Sequence, residues 1–248
     1  MTIRLMFGAG LLALLAACGE KEVVLEGERF PVRQDLAASL PVEGQPAPTA
    51  PAEAANRSEP ISLPAQTNAS DWTHRGANPR HLMPHAALSP TPQLAWSANI
   101  GSGSSRKNRI AAAPVVSGGR IFTIDAATLV TATSTGGATL WTADLTADFD
   151  RGGGQSGAGL AVAGERLFVT TGYGEVVALD AASGAVLWRE EIDTPVSGAP
   201  ATDGSVVYVS GRDGSAWALR AEDGKVVWQV FGTPGSAAYV GSAAPTIS

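Results

Sequence analysis

The glycines at 152, 154 and 157 have the spacing of a loop that could bind the phosphates of a dinucleotide. Such a loop needs a following helix, because the amino end of the helix supplies the amide groups and the partial positive charge that hold the phosphate. Here polar residues 148–151 precede the glycines, and a strand-like run follows them. The spacing therefore indicates an ordinary connecting loop.

Three histidines, His74, His81 and His85, are the next candidates, because imidazole is a common metal ligand. Pro79 and Pro84 interrupt the segment, so no helix aligns the rings on one face. No cysteine joins them. We expect neither a metal site nor a bound cofactor.

Arg106, Lys107 and Arg109 form a basic cluster. A solvated surface loop explains it, and the alternative is a contact with an acidic protein surface or with lipid headgroups. The whole chain has a net charge of −6 and no basic face. A nucleic-acid partner is therefore not expected, because phosphate binding requires clustered cations.

The only cysteine, Cys18, follows a positively charged start and an apolar run over residues 5–15. The run is too short to span a bilayer, which is typical of a signal peptide. Residues 15–18 resemble a bacterial lipobox, which implies signal cleavage after residue 17 and acylation of Cys18, for example by palmitate. Gly19 then favours the outer membrane, with the chain facing the periplasm. Residues 18–70 are predicted to be a disordered tether rich in proline and alanine.

A repeat organises the remainder, residues 71–248. Three tryptophans lie 47 and 40 residues apart, and each follows a glycine by four positions. This period is typical of propellers and solenoids. We expect these residues to pack adjacent units together: Gly137, Trp141, Gly184, Trp188, Gly224 and Trp228.

Each repeat reads as four short strands separated by turns that contain glycine. In the second unit the predicted strands are 160–162, 166–171, 175–180 and 186–192. The predicted fold is an all-β propeller, with Trp96 in the last strand of a further unit. About three or four units are recognisable, fewer than a closed ring usually needs, so we expect a chain truncated at its carboxyl end.

Asp180 is a candidate acid within this repeat. Its expected equivalents in the neighbouring units are Thr133 and Arg220. A turn position that changes type between units is better explained as structural.

The repeats resemble those of PQQ-like propellers, and a wider set of segments resembles the BamB family, of alphaproteobacterial type. The segments are 71–79, 94–97, 101–106 and 109–116. The resemblance implies an eight-bladed, non-enzymatic lipoprotein of the outer-membrane β-barrel assembly (BAM) complex. Its implied partners are the periplasmic POTRA domains of BamA, other BAM subunits and unfolded outer-membrane proteins.

The same resemblance implies a docking loop for BamA just before Ala244-Pro245, on Ala237, Tyr239 and Val240. An exposed Tyr239 would anchor the interface; the alternative is that Tyr239 packs between blades. Two other functions stay open. One is a PQQ-dependent quinoprotein dehydrogenase, although the vicinal cysteine pair usual there is absent. The other is a general periplasmic protein-binding propeller.

Overall fold

Strands make up all the regular secondary structure that the structure, a computed structural model, describes. It describes residues 58, 60–150, 159–192, 194–196, 198–232 and 244–248. The strands are β1 (Val115–Ser117), β2 (Arg120–Ile124), β3 (Leu129–Ser134), β4 (Thr139–Asp144), β5 (Gly159–Ala163), β6 (Arg166–Thr170), β7 (Glu175–Asp180), β8 (Val186–Glu191), β9 (Ala201–Thr202), β10 (Val206–Ser210), β11 (Ala216–Arg220) and β12 (Val226–Val230). Over these residues, the structure has no helix with the length and hydrophobicity that crossing a membrane requires.

The twelve strands form three four-stranded antiparallel sheets. Each sheet takes four consecutive strands in chain order, so β1–β4, β5–β8 and β9–β12 are three successive meanders. The prediction of an all-β chain built from four-stranded repeats is confirmed. In the second unit all four predicted strands are present, and the observed ends differ from the predicted ones by at most one residue.

The first three strands of the second sheet, β5, β6 and β7, are buried on both faces. Their alternating side chains explain why, since successive residues of a strand point to opposite faces. Leu167 and Val169 of β6 belong to one hydrophobic core shared with the first sheet. Phe168, which lies between them in sequence, belongs to a second core shared with the third sheet. Continuous apolar runs in β6 and β7 therefore hold three sheets in a stack.

A short segment before the first sheet, residues 72–74, joins all three sheets, and we call it the strap. Trp72 exchanges two backbone hydrogen bonds of 2.8 Å with Val116. The carbonyl oxygen of Thr73 accepts a 2.9 Å bond from the amide of Val162 in β5. The Nε2 atom of His74 accepts a 3.1 Å bond from the amide of Thr202 in β9. The strap thus bonds to a residue of the first strand of each sheet.

The segment that contains Trp96 differs from the prediction. Residues 91–100 form no strand, so Trp96 is not in the last strand of a further sheet. The indole nevertheless contacts the first sheet, where its Nε1 donates to the carbonyl oxygen of Thr135 at 2.9 Å. The tryptophan contact therefore recurs without the strand.

Candidate functional site

Tryptophan and glycine make the same contact at each junction between units. A Cβ atom added to Gly184 would lie 2.5 Å from the ring of Trp141, and one added to Gly224 would lie 2.7 Å from the ring of Trp188. Gly137 has the same relation to Trp96, at 2.9 Å. In each case the indole covers the glycine turn of the following sheet, and no larger residue fits beneath it.

Hydrogen bonds fix each indole in place. The Nε1 of Trp141 donates to the carbonyl oxygen of Ala181 at 3.2 Å, and that of Trp188 donates to Ala221 at 3.0 Å. The rings also tilt against an aromatic side chain of their own sheet, with 5.9 Å between the centroids of Phe122 and Trp141. These tryptophans are half-buried, whereas Phe122 is fully buried.

Trp228 occupies the equivalent position in the third sheet. Its ring is tilted by 45° against that of Tyr208, with 6.1 Å between the centroids, much as in the other pairs. No described glycine turn lies beneath it, and 43% of its surface is exposed. Residues 245–248 lie beside it and help to line a groove of 370 Å³.

The three histidines have separate partners. His74 is buried in the strap, and burial lowers its pKa to about 4. The Nδ1 of His81 lies 3.1 Å from the hydroxyl of Thr246, and the Nδ1 of His85 lies 2.7 Å from the carbonyl oxygen of Pro64. Among the described residues, no three histidine, cysteine, aspartate or glutamate side chains are grouped so that they could hold a metal ion.

Asp180 shapes the turn between β7 and β8. Its Oδ1 accepts bonds from the amide and the hydroxyl of Ser183 at 2.7 and 2.6 Å. The Ser183 hydroxyl is the main cause that lowers the pKa of this carboxyl group. The strand pairing corrects one expectation: the equivalent residue in the first sheet is Ser134 and not Thr133, because that turn is one residue shorter.

The basic cluster lies on a braced loop. The amide of Ser102 donates to the buried carboxylate of Asp125 at 2.7 Å, and the amide of Ile110 donates to the hydroxyl of Ser104 at 3.0 Å. Arg106, Lys107 and Arg109 are all exposed between these anchors. The described residues provide no ion pair for any of the three.

A cavity of 260 Å³ lies at the end of the second sheet where β7 begins and β8 ends, and we call it the Phe149 cavity. Its lining includes Phe149, Tyr173, Glu175, Glu191 and Pro195. The ring of Phe149 meets that of Tyr173 edge-on, with 5.6 Å between centroids and 88° between planes. The sequence analysis missed this cavity, because its residues come from separate stretches that only the sheet topology brings together.

Tyr173 and Glu175 are held by specific partners. The hydroxyl of Tyr173 donates to the Oδ2 of Asp150 at 2.6 Å, and burial with this bond raises the pKa of the phenol to about 12. Glu175, with 7% of its side chain exposed, pairs with the Nη1 of Arg189 at 2.9 Å. The phenol is therefore protonated at neutral pH, and Glu175 has its own counter-ion.

Several predicted site residues lie outside the described residues. These are the lipidation site Cys18, most of the tether, the glycines at 152, 154 and 157, and the docking residues Ala237, Tyr239 and Val240. A strand, β5, follows the glycines, in agreement with the interpretation of the sequence there.

Comparison with known proteins gives a family model and two sets of relatives. Residues 126–248 match the model of a family described as outer membrane protein assembly factor BamB. The outer membrane protein assembly factor BamB of Shewanella oneidensis is 30% identical over 145 residues, which are 55% of this chain and 36% of the relative. A quinone-dependent alcohol dehydrogenase subunit of Gluconobacter oxydans is 36% identical over 99 residues, which are 35% of this chain and 13% of the relative.

Among solved structures, the quinohemoprotein alcohol dehydrogenase of Comamonas testosteroni superimposes with a TM-score of 0.54 and 26% identity. The match covers 67% of this chain and 28% of the enzyme. The chain has the PQQ-like propeller fold. It is related both to BamB and to quinoprotein dehydrogenases, and it spans well under half the length of each relative.

A PQQ-dependent quinoprotein dehydrogenase, the alternative that the sequence leaves open, would require a calcium ion beside its quinone cofactor. Calcium binds several carboxylate and carbonyl oxygens. The described residues contain no group of three acidic or histidine side chains placed to bind a metal, and the sequence contains no second cysteine. The described residues therefore offer no cluster of side chains that would hold the calcium ion.

Proposed function

We propose that this chain is a non-enzymatic scaffold of the outer-membrane β-barrel assembly complex, of the alphaproteobacterial type, anchored by an acylated Cys18 and facing the periplasm. The observation that carries the proposal is the match of residues 126–248 to the BamB family model. The extent of the relatives supports it further. The BamB relative aligns with 55% of this chain, whereas the dehydrogenase relative aligns with 35%.

Docking on the POTRA domains of BamA is assigned to the loop that contains Tyr239. The resemblance of the surrounding sequence to the BamB family supports this assignment. An aromatic anchor suits such a contact, because a few large side chains carry most of the binding energy at an interface.

Unfolded outer-membrane proteins are proposed to bind at the outer strands of the sheets. Each of β4, β8 and β12 pairs with one described neighbour only, so its outer edge has backbone donors and acceptors to offer. Each also exposes an apolar side chain just before its tryptophan, namely Leu140, Leu187 and Val227. An extended client could add to such an edge as a further strand.

A quinoprotein dehydrogenase is the second candidate. The observations that favour it are the 36% identity to the alcohol dehydrogenase subunit and the superposition on the Comamonas enzyme. The donor set of the described residues does not support it, so we assign no catalytic residue.

Affinity purification of the tagged full-length lipoprotein from solubilised outer membranes tests the proposal. We expect wild type to recover BamA and Tyr239→Ala to recover several-fold less. Leu88→Ala is the control, since it truncates a large apolar side chain that is exposed and lies outside the proposed docking loop, and it should recover BamA as wild type does.

Absence of BamA from the wild-type purification would overturn the scaffold proposal. A quinone absorbance together with calcium-dependent alcohol oxidation by the same preparation would then support the dehydrogenase. Equal recovery of BamA by wild type and Tyr239→Ala would retain the scaffold but reject the docking loop.

A further inference from the structure

We propose that the Phe149 cavity binds a cationic side chain, arginine or lysine, of a protein partner. The cavity measures 260 Å³, which exceeds the roughly 30 Å³ share of one water molecule several times over. This assignment goes beyond the scaffold function and does not use the docking loop that contains Tyr239.

Two aromatic rings give the cavity a surface that attracts cations. Phe149 is 75% exposed and is supported from one side by the edge-on ring of Tyr173. Its faces carry the negative part of the ring quadrupole, to which a guanidinium or ammonium group is drawn. Tyr173 cannot swing away freely, because its hydroxyl donates to Asp150 at 2.6 Å. Tyr173 is therefore already positioned before a partner arrives, and Phe149 packs against it.

Carboxylates supply the complementary charge. Glu191 lines the cavity and is exposed, and Asp148 is exposed next to Phe149 in the sequence. Neither takes part in a salt bridge with any described residue. Glu175 is different, because Arg189 already neutralises it. An incoming cation would thus meet Glu191 at the cavity and Phe149 beside it.

The repeat shows that Glu175, which borders the cavity, is not needed to build a sheet. The strand pairing makes Leu129 the equivalent of Glu175, since each lies opposite the last residue of its outer strand. In the third sheet the equivalent is Ser215, because its carbonyl oxygen accepts a bond from the amide of Gly211, as that of Glu175 does from Thr171. Neither equivalent is charged, and both neighbouring sheets form. The ion pair of Glu175 with Arg189 is therefore specific to the second sheet, whereas Glu191 has an acidic equivalent, Asp144, in the first sheet.

The test uses the purified full chain and N-acetyl-arginine amide, followed by protein-observed NMR. Its control ligand is N-acetyl-citrulline amide, which has nearly the same shape without the charge. We expect saturable shifts of Phe149, Tyr173 and Glu191 with the arginine amide, and at least tenfold weaker binding of the citrulline amide.

Two variants locate the site. Phe149→Leu and Glu191→Gln should each weaken binding of the arginine amide by roughly three- to tenfold, as expected for loss of one cation–π or charge contact. Glu190→Gln is the matched control, because this neighbouring side chain points to the other face of β8 and should leave binding unchanged. Conserved amide shifts elsewhere show that each variant is folded.

Three results would overturn the assignment. They are the absence of a saturable shift up to the solubility limit of the arginine amide, equal binding of the citrulline amide, and shifts that are unaffected by both Phe149→Leu and Glu191→Gln. None of these bears on recovery of BamA, so the scaffold proposal stands or falls separately.

Discussion

The two ends of strand β7 contrast sharply. At its carboxyl end, Asp180 leads into the turn that contains Gly184, and the same turn with the same tryptophan contact recurs in the next sheet. At its amino end, Tyr173 and Glu175 border a cavity, and the residues at these positions change from sheet to sheet. One end is repeated and the other is not.

The contrast separates two kinds of constraint. A glycine beneath an indole must recur, because every junction between sheets needs the same close approach. The strand ends on the other side only need to pair, so their side chains can differ from sheet to sheet without loss of the fold. Binding chemistry is therefore best sought where the repeat is broken.

The largest expected effect concerns His74, whose contact with Thr202 is not repeated in the other sheets. We expect this unrepeated contact to serve stability and not binding. The pKa of His74 is about 4 in the folded chain and about 6.5 when unfolded. Both states are neutral above pH 6.5, so stability is full there. The free energy of unfolding falls by on the order of 3 kcal/mol in total as the pH drops towards 4. The reason is that only the unfolded state then takes up the proton.

Urea unfolding at about pH 7 and about pH 4.5 measures this loss. His74→Gln should remove most of it, whereas His85→Gln, at a more accessible histidine, should keep it. Equal pH dependence in the two variants would show that burial does not hold His74 in its neutral form.

A second, smaller effect tests the repeated end. Gly224→Ala places a methyl group against Trp188, whereas Gly214→Ala places one in open space. The two glycines have similar positive φ angles, 77° and 82°, so both variants carry the same backbone strain. We expect Gly224→Ala to lower the free energy of unfolding by about 1–2 kcal/mol more than Gly214→Ala. Equal losses of unfolding free energy in the two variants, measured by chemical denaturation, would mean that the indole of Trp188 moves aside without loss of stability.

The smallest expected effect concerns the ion pair between Arg189 and Glu175, at the amino end of β7. Arg189→Ala leaves the Glu175 carboxylate, with 7% of its side chain exposed, without a counter-ion. Arg220→Ala is the control, since Arg220 and its partner Asp223 are 51% and 33% exposed. We expect Arg189→Ala to cost about 1 kcal/mol more in thermal unfolding, because exposed pairs contribute little. A larger loss from Arg220→Ala would reverse this ranking.

Much of the fold was predictable because the same sequence pattern occurs in three successive units. The interval from glycine to tryptophan and the alternation of residues 166–170 identify sheets and turns locally. The strand at 175–180 was predicted with the bounds that the structure has. Local pattern suffices where a strand pairs with its neighbour in sequence.

The cavity and the strap were not predictable on the same basis. Phe149, Tyr173 and Glu191 are far apart in sequence, and no periodic pattern relates them. His74 was considered only as a metal ligand, since the amide it binds lies 128 residues away. The contact of Trp96 was partly anticipated from its spacing, but a strand was wrongly assigned to it. Long-range contacts depend on topology, which the local pattern does not contain.

The strap has a consequence for the order of folding. The three sheets are meanders with short turns, so each can form soon after its own residues become available. The bond between His74 and Thr202 closes a loop of 128 residues and requires both ends of it. A chain that emerges from its amino end can pair Trp72 with β1 and Thr73 with β5 earlier, but the Nε2 atom of His74 has no Thr202 partner until β9 has appeared. Closure of the strap is then a late step, and it is the step that commits three independent hairpin sheets to one molecule.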